Sequence, residues 1–211
     1  MDKLAFKIIT NEVSINFFLD KFESYVGVRL PLEYAVRNEV VGIFLHGKLV
    51  GGYILVTKPD FRSLLFIPDS IRTESQLFEN DLYEMMEVNG LWIGPQIKDS
   101  RMQFTIWMQL MLDLLVAKKH YVLLMCNAQN KNIEHIHNLT RPTKLYEGLP
   151  FPLPGDKSHD LIRVSYTTRW RVLCNLPSYL MEHRSRKYRS NIDSQIQGLD
   201  GFERHLDFLG A

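Results

Sequence analysis

The sequence is poor in cysteine and has no excess of charge of either sign. Only two of its 211 residues are cysteines, Cys126 and Cys174, and their separation does not match the spacing of a metal site. Each lies in an apolar segment, so we expect two buried free thiols, which suits a reducing compartment. The formal net charge of +1 gives no overall field that would attract nucleic acid or a membrane surface.

Long apolar runs are also missing. Charged residues interrupt the N-terminal segment at Lys3, Lys7, Glu12 and Asp20, so neither a signal peptide nor a membrane-spanning helix is expected. Hydrophobic residues nevertheless make up 45% of the chain, which is ordinary for a globular protein with a core. We therefore expect a soluble, cytoplasmic protein.

The short motifs of the common enzyme classes do not occur. There is no Gly-x-Ser-x-Gly elbow, no Walker loop and no dinucleotide-binding fingerprint. His135 and His137 are two positions apart on a predicted helix, so they point in different directions and make a poor metal pair. No metal site is expected.

Hydrophobic periodicity predicts strands that alternate with helices. Strands are predicted at 5–10, 40–57, 82–93, 121–128 and 161–175, the second being a hairpin around a Gly-containing turn. Helices are predicted at 11–26, 101–119, 130–139 and 178–189, and segment 61–79 is predicted as loop with some helix. Asn89-Gly90 inside a strand predicts a β-bulge.

The order of these elements predicts one α/β (α+β) domain. The hairpin implies antiparallel pairing, and the strand–helix–strand passages imply parallel pairing in the middle of the sheet. We therefore expect a mixed, mostly antiparallel central sheet with flanking helices. This domain is predicted to span residues 1–176, and residues 177–211 are predicted to form a basic C-terminal helix and tail.

Three segments resemble the GCN5-related N-acetyltransferase (GNAT) superfamily. They are VVGIFLHGKLVGGYIL at 40–55, MEVNGLWIGPQIKDSRMQFTIWMQLMLDLL at 86–115, and VLLMCNAQNKNIEHIHNL followed by KLYEG at 122–148. The first is similar to the second and third strands of that fold, the second to its acyl-CoA motif, and the third to its last conserved segment. About half the chain is covered. The resemblance implies a pair of parallel strands that part to admit a pantetheine arm.

The same resemblance implies roles for individual residues. A main-chain N–H at about Trp92 or Ile93 would polarise the thioester carbonyl. Glu87 matches the position of a general base, with Glu84 on the opposite face of the strand as the alternative, and Tyr146 matches a general acid. For Glu87 a solvated carboxylate at a sheet edge, and for Tyr146 an ordinary core or surface tyrosine, are the alternatives without function.

The expected phosphate-binding loop departs from the GNAT pattern. Lys98 stands at the first basic position, but Arg101 and Gln103 replace two glycines whose backbone would approach the CoA pyrophosphate. Either side chains of this loop and the helix after it bind phosphate, or the donor carries no adenosine diphosphate. The resemblance thus implies eight residues that bind the acyl donor: Trp92 and Ile93 at the thioester, Lys98, Ser100, Arg101 and Met102 in the phosphate-loop segment, and Asn127 and Asn132 at the pantetheine amides.

We therefore predict an N-acyltransferase that moves a medium or long acyl group from a pantetheine thioester to a primary amine. The resemblance extends to the N-acyl amino acid synthase and acyl-homoserine lactone synthase branch. Acyl-CoA or acyl-phosphopantetheine would be a co-substrate, with no permanently bound cofactor. The acceptor would be a small-molecule or peptide amine. The basic residues Arg184, Arg186, Lys187 and Arg189 are interpreted as a docking site for an acidic acyl carrier protein, with nucleic-acid phosphate or a solvated helix face as the alternatives.

Two alternatives stay open at this point. One is a synthase of the acyl-homoserine lactone type, in which amide formation is followed by lactone closure. The other is a non-catalytic GNAT-like binding module that has lost its phosphate loop and recognises a partner through the basic C-terminal helix. Six methionines between Met85 and Met125 are interpreted either as an acyl pocket or as ordinary core filling.

Overall fold

The computed structural model describes residues 3–150 and 161–182, except for the side chain of Asn132. The chain divides into two compact units, Met1–Cys174 and Asn175–Ala211. The first unit contains all of the sheet.

The second unit is described only at its beginning. Residues 176–182 are helical, in agreement with the start of the helix predicted there. The four basic residues predicted to receive a carrier protein lie outside the described residues: Arg184, Arg186, Lys187 and Arg189.

A seven-stranded sheet forms the centre of the first unit. Its strands are β1 (Leu4–Ile9), β2 (Glu39–Leu45), β3 (Lys48–Val56), β4 (Met85–Ile93), β5 (Tyr121–Asn127), β6 (Thr143–Gly148) and β7 (Ile162–Thr168), in the order β1-β2-β3-β4-β5-β7-β6. Only β4 and β5 pair in parallel, and all other neighbours are antiparallel. This confirms the predicted fold class, a mixed and mostly antiparallel sheet with a parallel pair near its middle.

Helices cover both faces of the sheet. They are α1 (Glu12–Val26), α2 (Leu32–Arg37), α3 (Arg62–Leu65), α4 (Asp69–Glu74), α5 (Ser100–Val116), α6 (Lys131–Asn138) and α7 (Arg169–Cys174), with 3-10 turns at Gln76–Glu79 and Leu82–Glu84. Residues of α1, α2 and α3 share the largest core cluster with Val40 and Ile54. On the opposite face, Leu110 of α5 packs with Val41 and Tyr53.

Local sequence signals explain α1 and the hairpin. The Asn11 side chain accepts a hydrogen bond from the Ser14 backbone N–H at 2.8 Å and so caps α1, which ends at Gly27 with a φ of 79°. Between β2 and β3, His46 and Gly47 have φ values of 50° and 75°. Two positive φ values are what a tight hairpin turn requires, so both predictions are confirmed.

The strand predicted at 161–175 is wrong beyond Thr168. Strand β7 ends there and α7 begins at Arg169, with the Thr168 hydroxyl accepting a hydrogen bond from the Arg171 N–H at 3.2 Å. Charges at alternate positions imitated the two-residue period of a strand. Cys174, predicted to be buried, is exposed at the end of α7, whereas Cys126 is buried as predicted.

The strand predicted at 82–93 begins three residues later, at Met85. Residues Leu82–Glu84 form a 3-10 turn that the Asp81 side chain caps by accepting a hydrogen bond from the Tyr83 N–H at 2.8 Å. Glu84 is therefore an exposed turn residue and has no defined face of a strand.

Candidate active site

Strands β4 and β5 part after a short paired segment. Their register runs only from Met85 opposite Tyr121 to Glu87 opposite Leu123. Beyond Glu87, β4 continues to Ile93 along β3, and β5 continues to Asn127 along β7. A gap therefore opens between the two parallel strands, bounded by the main chains of residues 88–93 and 124–127.

A bulge lies in β4 within the gap. Gly52 is opposite Trp92 and Ile54 is opposite Asn89, so three steps along β4 match two steps along β3. Gly90 has a φ of 59°, and a Cβ atom there would lie 3.1 Å from the Leu30 Cδ1. The bulge predicted at Asn89-Gly90 is confirmed, and it bends β4 where pairing with β5 has already stopped.

The register indicates which main-chain N–H group of β4 points into the gap. The Gly94 N–H donates to the Val50 carbonyl at 2.8 Å, toward β3. Successive residues of a strand direct their N–H groups to opposite sides, so Trp92 also faces β3 and Ile93 faces the gap. Of the two donors predicted from the sequence, the geometry favours Ile93.

Glu87 lies at the end of the paired segment and is 2% exposed. Its carboxylate accepts hydrogen bonds from the Tyr34 hydroxyl at 2.9 Å, the Arg62 N–H at 2.7 Å and the Ser63 N–H at 3.1 Å. The Ser63 hydroxyl is a fourth donor. A carboxylate has about four acceptor positions, so protein donors occupy all of them. Glu87 is thus not a solvated edge residue, and it connects β4 to the start of α3.

Tyr34 extends this network toward the bulge. Its hydroxyl oxygen accepts a hydrogen bond from the Asn89 amide at 3.2 Å while its O–H donates to Glu87. Burial, with the adjacent Glu87 carboxylate, raises the pKa of the Tyr34 hydroxyl, so it stays protonated at neutral pH. The Arg62 guanidinium lies 5.8 Å from the centre of the Tyr34 ring. A buried polar network therefore joins β4 to α2 and α3 at the level where β4 and β5 part.

Trp92 lies near the far end of β4 and is covered by aromatic side chains of α1. The Tyr25 ring stacks on it at 5.1 Å with an interplanar angle of 15°, and the Phe18 ring is tilted against it at 6.2 Å. The Trp92 indole nitrogen is buried without a hydrogen-bond partner among the described residues. The side chain of Trp92 thus belongs to the core under α1 and does not face the gap.

The N-terminus of α5 is capped by the carboxylate of one of the protein's own side chains, Asp99. The Asp99 side chain accepts a hydrogen bond from the Arg101 N–H at 2.8 Å, which is an ordinary helix cap. The predicted phosphate ligands Lys98 and Arg101 are exposed, whereas Ser100 is half-buried. An anion placed on the first N–H groups of this helix would meet the negative charge of Asp99.

The other residues predicted to bind the acyl donor lie in different environments. Met102 packs beside the buried cluster that contains Ile43 and Ile106. The Asn127 side chain accepts a hydrogen bond from the Gln129 N–H at 2.8 Å at the end of β5. Asn132 lies on α6, but its side chain is outside the described part of the chain.

Tyr146 lies on β6, which is separated from β5 by β7. With about 4.8 Å between neighbouring strands, the main chain of β6 is about 10 Å beyond β5. The Tyr146 hydroxyl donates a hydrogen bond to the Leu149 carbonyl at 2.6 Å, and the half-buried ring packs against the main core.

Three of the six methionines between Met85 and Met125 are buried in the core, and the other three are half-buried. Met85 and Met86 are fully buried and Met111 is 6% exposed, whereas Met102, Met108 and Met125 are half-buried. Cys126, on the β5 side of the gap, is buried, and desolvation raises the pKa of its thiol. Within residues 3–150 and 161–182, no three His, Cys, Asp or Glu side chains are grouped so as to hold a metal ion.

Sequence reasoning missed two parts of this site. Asp99 stands directly before α5, and an Asp in that position is a recognised N-cap signal that identifies its role. Tyr34 and Ser63 are 53 and 24 residues away from Glu87 in the sequence, and no local pattern indicates their hydrogen bonds to it.

No helix in the described portion of the chain is both long and apolar enough to span a membrane. Comparison with known sequences gave no match, either to a family model or to a curated protein.

Comparison with solved structures identifies the fold. FeeM, an N-acyl amino acid synthase from uncultured soil microbes, superposes with a TM-score of 0.58 at 9% identity, over 82% of this chain and 94% of FeeM. The spermidine/spermine N-acetyltransferase SpeG from Vibrio cholerae gives 0.53 at 9% identity, over 81% of this chain and 96% of SpeG. The protein yncA from Salmonella typhimurium, solved with its cofactor acetyl-CoA, gives a TM-score of 0.50 at 7% identity, over 79% of this chain and 94% of yncA. The chain therefore has the GNAT fold.

Proposed function

We propose that this protein is an N-acyltransferase whose pantetheine thioester donor enters the gap between β4 and β5. The observation that carries the proposal is the parting of the two parallel strands after Glu87, combined with a bulge in β4. A pantetheine arm has amide groups along its length, and the unpaired strand edges offer main-chain N–H and carbonyl groups to them. Proteins of the same fold include an N-acyl amino acid synthase and an N-acetyltransferase.

The reaction assigned to the gap is aminolysis of a thioester. The acceptor nitrogen attacks the carbonyl carbon, a C–N bond forms, the C–S bond breaks, and the thiolate leaves. The Ile93 N–H, which the register directs into the gap, is proposed to stabilise negative charge on the carbonyl oxygen.

Two protons must also move. Glu87 is proposed to accept the proton of the amine, and Tyr146 to protonate the leaving thiolate, as the GNAT pattern implies. All acceptor positions of Glu87 are occupied, so one donor must first be displaced, and the hydroxyls of Ser63 and Tyr34 are the two donors that can rotate away. Tyr146 must likewise release the Leu149 carbonyl, and because β7 separates β6 from β5, its side chain must also reach across the face of β7 and β5 to the gap.

The donor is proposed to be a medium- or long-chain acyl group on a carrier protein or on CoA. Support for a donor without adenosine diphosphate comes from α5, where the Asp99 carboxylate caps the helix and Arg101 and Gln103 replace glycine. The acidic carrier protein is proposed to contact Arg184, Arg186, Lys187 and Arg189. The acceptor is proposed to be a small-molecule or peptide amine.

The test is to offer the purified protein a set of acyl-CoA, acyl-pantetheine and acyl-carrier thioesters with amine acceptors, and to detect amides by mass spectrometry. Thiol reagents are unsuitable as the first readout because Cys174 is exposed and adds background. Similar kcat/KM values for acyl-CoA and acyl-pantetheine are expected if the adenosine diphosphate is not bound. A large advantage for acyl-CoA contradicts a donor that carries no adenosine diphosphate and leaves acyl-CoA as the donor.

A substitution at Ile93 tests the main-chain donor directly. Ile93→Pro removes the N–H that faces the gap but none of the N–H groups that face β3, and proline is tolerated at such unpaired strand edges. We expect a loss of kcat of about a hundredfold, as for other oxyanion donors. Ile93→Val keeps the N–H and is the matched control. Equal kcat values for the two variants, both folded by circular dichroism, remove Ile93 from the mechanism.

Two observations favour a second candidate, a non-catalytic GNAT-like binding module. The anion position at the N-terminus of α5 is capped by Asp99, and Glu87 is held by four protein donors. A module of this kind recognises a partner through the basic C-terminal helix and gives no amide with any donor. The absence of an amide product across the whole set of thioesters and amines therefore distinguishes the module from the enzyme.

A further inference from the structure

Glu87 has no open position for the proton that it is proposed to accept. Four protein donors fill its acceptor positions, and the residue is 2% exposed. Two of these donors are the main-chain N–H groups of Arg62 and Ser63, which are held in place by α3. An amine that approaches the carboxylate directly must therefore displace a hydroxyl before any proton can pass.

The Tyr34 hydroxyl, in contrast, has an acceptor position to spare. A hydroxyl group donates one hydrogen bond and its oxygen has two acceptor lone pairs. The O–H donates to Glu87 at 2.9 Å, and the Asn89 amide at 3.2 Å is the only donor to the oxygen within residues 3–150 and 161–182. One lone pair of the Tyr34 oxygen is thus open to an N–H group of a ligand.

Tyr34 contacts β4 at the level where β4 and β5 part. Glu87 is the last residue of β4 that pairs with β5, and Asn89 lies two residues further on, beside the bulge. The side chains of Glu87 and Asn89 lie on the same face of β4, because both contact one hydroxyl group. Exposure rises along this chain of hydrogen bonds, from 2% at Glu87 to 8% at Tyr34 and to half-buried Asn89. The chain therefore runs from a closed end at Glu87 to a more open end beside the gap.

We propose that the Tyr34 hydroxyl contacts the acceptor amine and relays its proton to Glu87. This inference rests on the proposed function, because it assigns one step of the same reaction. The nitrogen lone pair forms the C–N bond, a proton of the nitrogen moves to the Tyr34 oxygen, and the O–H proton of Tyr34 moves to Glu87. The carboxylate becomes a carboxylic acid and the tyrosine ends neutral, as it began. None of the donors to Glu87 has to leave.

Two charged groups act on the Tyr34 hydroxyl, Glu87 on β4 and Arg62 at the start of α3. The residues of α1 that share this core are apolar: Ile15, Phe18, Leu19 and Phe22. Arginine keeps its charge at every pH of an enzyme assay, so Glu87 and the amine are the groups that titrate. Burial raises the pKa of the Tyr34 hydroxyl, so the proton to be relayed is in place before the amine arrives.

The test compares Tyr34→Phe with Tyr53→Phe, which each remove one buried hydroxyl. Tyr53 is the matched control, because its hydroxyl donates to the Asp113 carboxylate on the opposite face of the sheet. The assay uses the thioester and amine that give most amide with the wild type. It measures kcat, the KM of the thioester and the dependence of kcat on pH, with folding checked by circular dichroism.

We expect Tyr34→Phe to lower kcat by about a hundredfold or more, the usual contribution of a positioned acid–base group. The KM of the thioester should stay close to that of the wild type. The residual kcat should rise with pH where the wild-type value is level, because solvent base then takes the proton. A purely structural loss would lower kcat by the same factor at every pH. Tyr53→Phe should keep the wild-type kcat and pH profile.

The relay alone is overturned if the wild type is active and Tyr34→Phe keeps or exceeds its kcat, since removal of a donor then only opens Glu87 to the amine. A loss that is the same at every pH, or that Tyr53→Phe shares, also overturns it. A wild type that forms no amide overturns the proposed function and the relay with it.

If Tyr34→Phe does not fold, Asn89→Asp replaces it. This variant keeps the side-chain oxygen that accepts from the Gly90 N–H at 2.8 Å, but it offers the Tyr34 hydroxyl a second carboxylate and so draws its proton away from Glu87. The same loss of kcat and the same change in pH profile are expected, and a wild-type kcat in Asn89→Asp overturns the relay.

Discussion

At the scale of single residues, burial decides what Glu87 contributes. A carboxylate that is 2% exposed and accepts hydrogen bonds from Tyr34, Arg62 and Ser63 stabilises the junction of β4 with α3, whatever else it does. The sequence places Glu87 on a strand near the expected gap, but only the fold brings its donors to it.

Replacing Glu87 with Gln should destabilise the protein. The Gln amide nitrogen cannot accept a hydrogen bond, so donors that now face the carboxylate are left unpaired in a buried site, at about 1–3 kcal/mol. Urea unfolding measures the loss. The exposed residue Glu84 provides the control, because Glu84→Gln should leave the midpoint unchanged. An unchanged midpoint for Glu87→Gln contradicts the hydrogen-bond network described here.

His137 predicts a pH dependence of stability. Burial lowers the pKa of this side chain from 6.5 to about 4. The unfolded chain therefore binds more protons than the folded protein between these values, and the free energy of unfolding should fall as the pH is lowered from 6.5 toward 4. His137→Gln should flatten this part of the profile, measured by urea unfolding at each pH. A profile that stays equally steep in the His137→Gln variant would contradict this assignment.

At the scale of elements, local patterns predicted most of the secondary structure. The helix α1, the hairpin turn and the bulge at Asn89-Gly90 each depend on a few neighbouring residues, and all three were predicted correctly. Helix α2 was not predicted, because its six residues are too few for a clear period. The boundary between β7 and α7 was wrong because alternating arginines imitate a strand.

The bulge in β4 gives a prediction with an internal control. Gly90 and Gly47 both have positive φ, so Ala at either position is strained by about 1–2 kcal/mol. A Cβ atom at Gly47 meets nothing within 4 Å, whereas at Gly90 it lies 3.1 Å from Leu30. Gly90→Ala should therefore lower the urea midpoint more than Gly47→Ala does. Equal losses would show that the bulge tolerates a side chain.

At the scale of the whole molecule, the general order of the elements predicted the fold but not the site. The register that separates β4 from β5 after Glu87 is set by contacts between distant segments. The same holds for the hydrogen bonds of Tyr34 to Glu87 and Asn89, which join α2 to β4. The residue pattern within one segment contains no information about its contacts with distant segments.

The two cysteines report on the integrity of the whole fold. Cys174 is exposed, and Cys126 is buried with the pKa of its thiol raised by desolvation. Iodoacetamide should therefore modify Cys174 alone in the folded protein and both residues in denaturant, as read by intact mass and peptide mapping. Rapid modification of Cys126 without denaturant would contradict its position in the core.

The parted strands also bear on how such proteins diverge. A ligand arm that lies between two strand edges is recognised through peptide groups, which every amino acid supplies. Selection on this contact then acts on the path of the backbone and leaves the choice of side chain largely free. Substitutions can accumulate along β4 and β5 until sequence similarity is lost, while the opening itself persists.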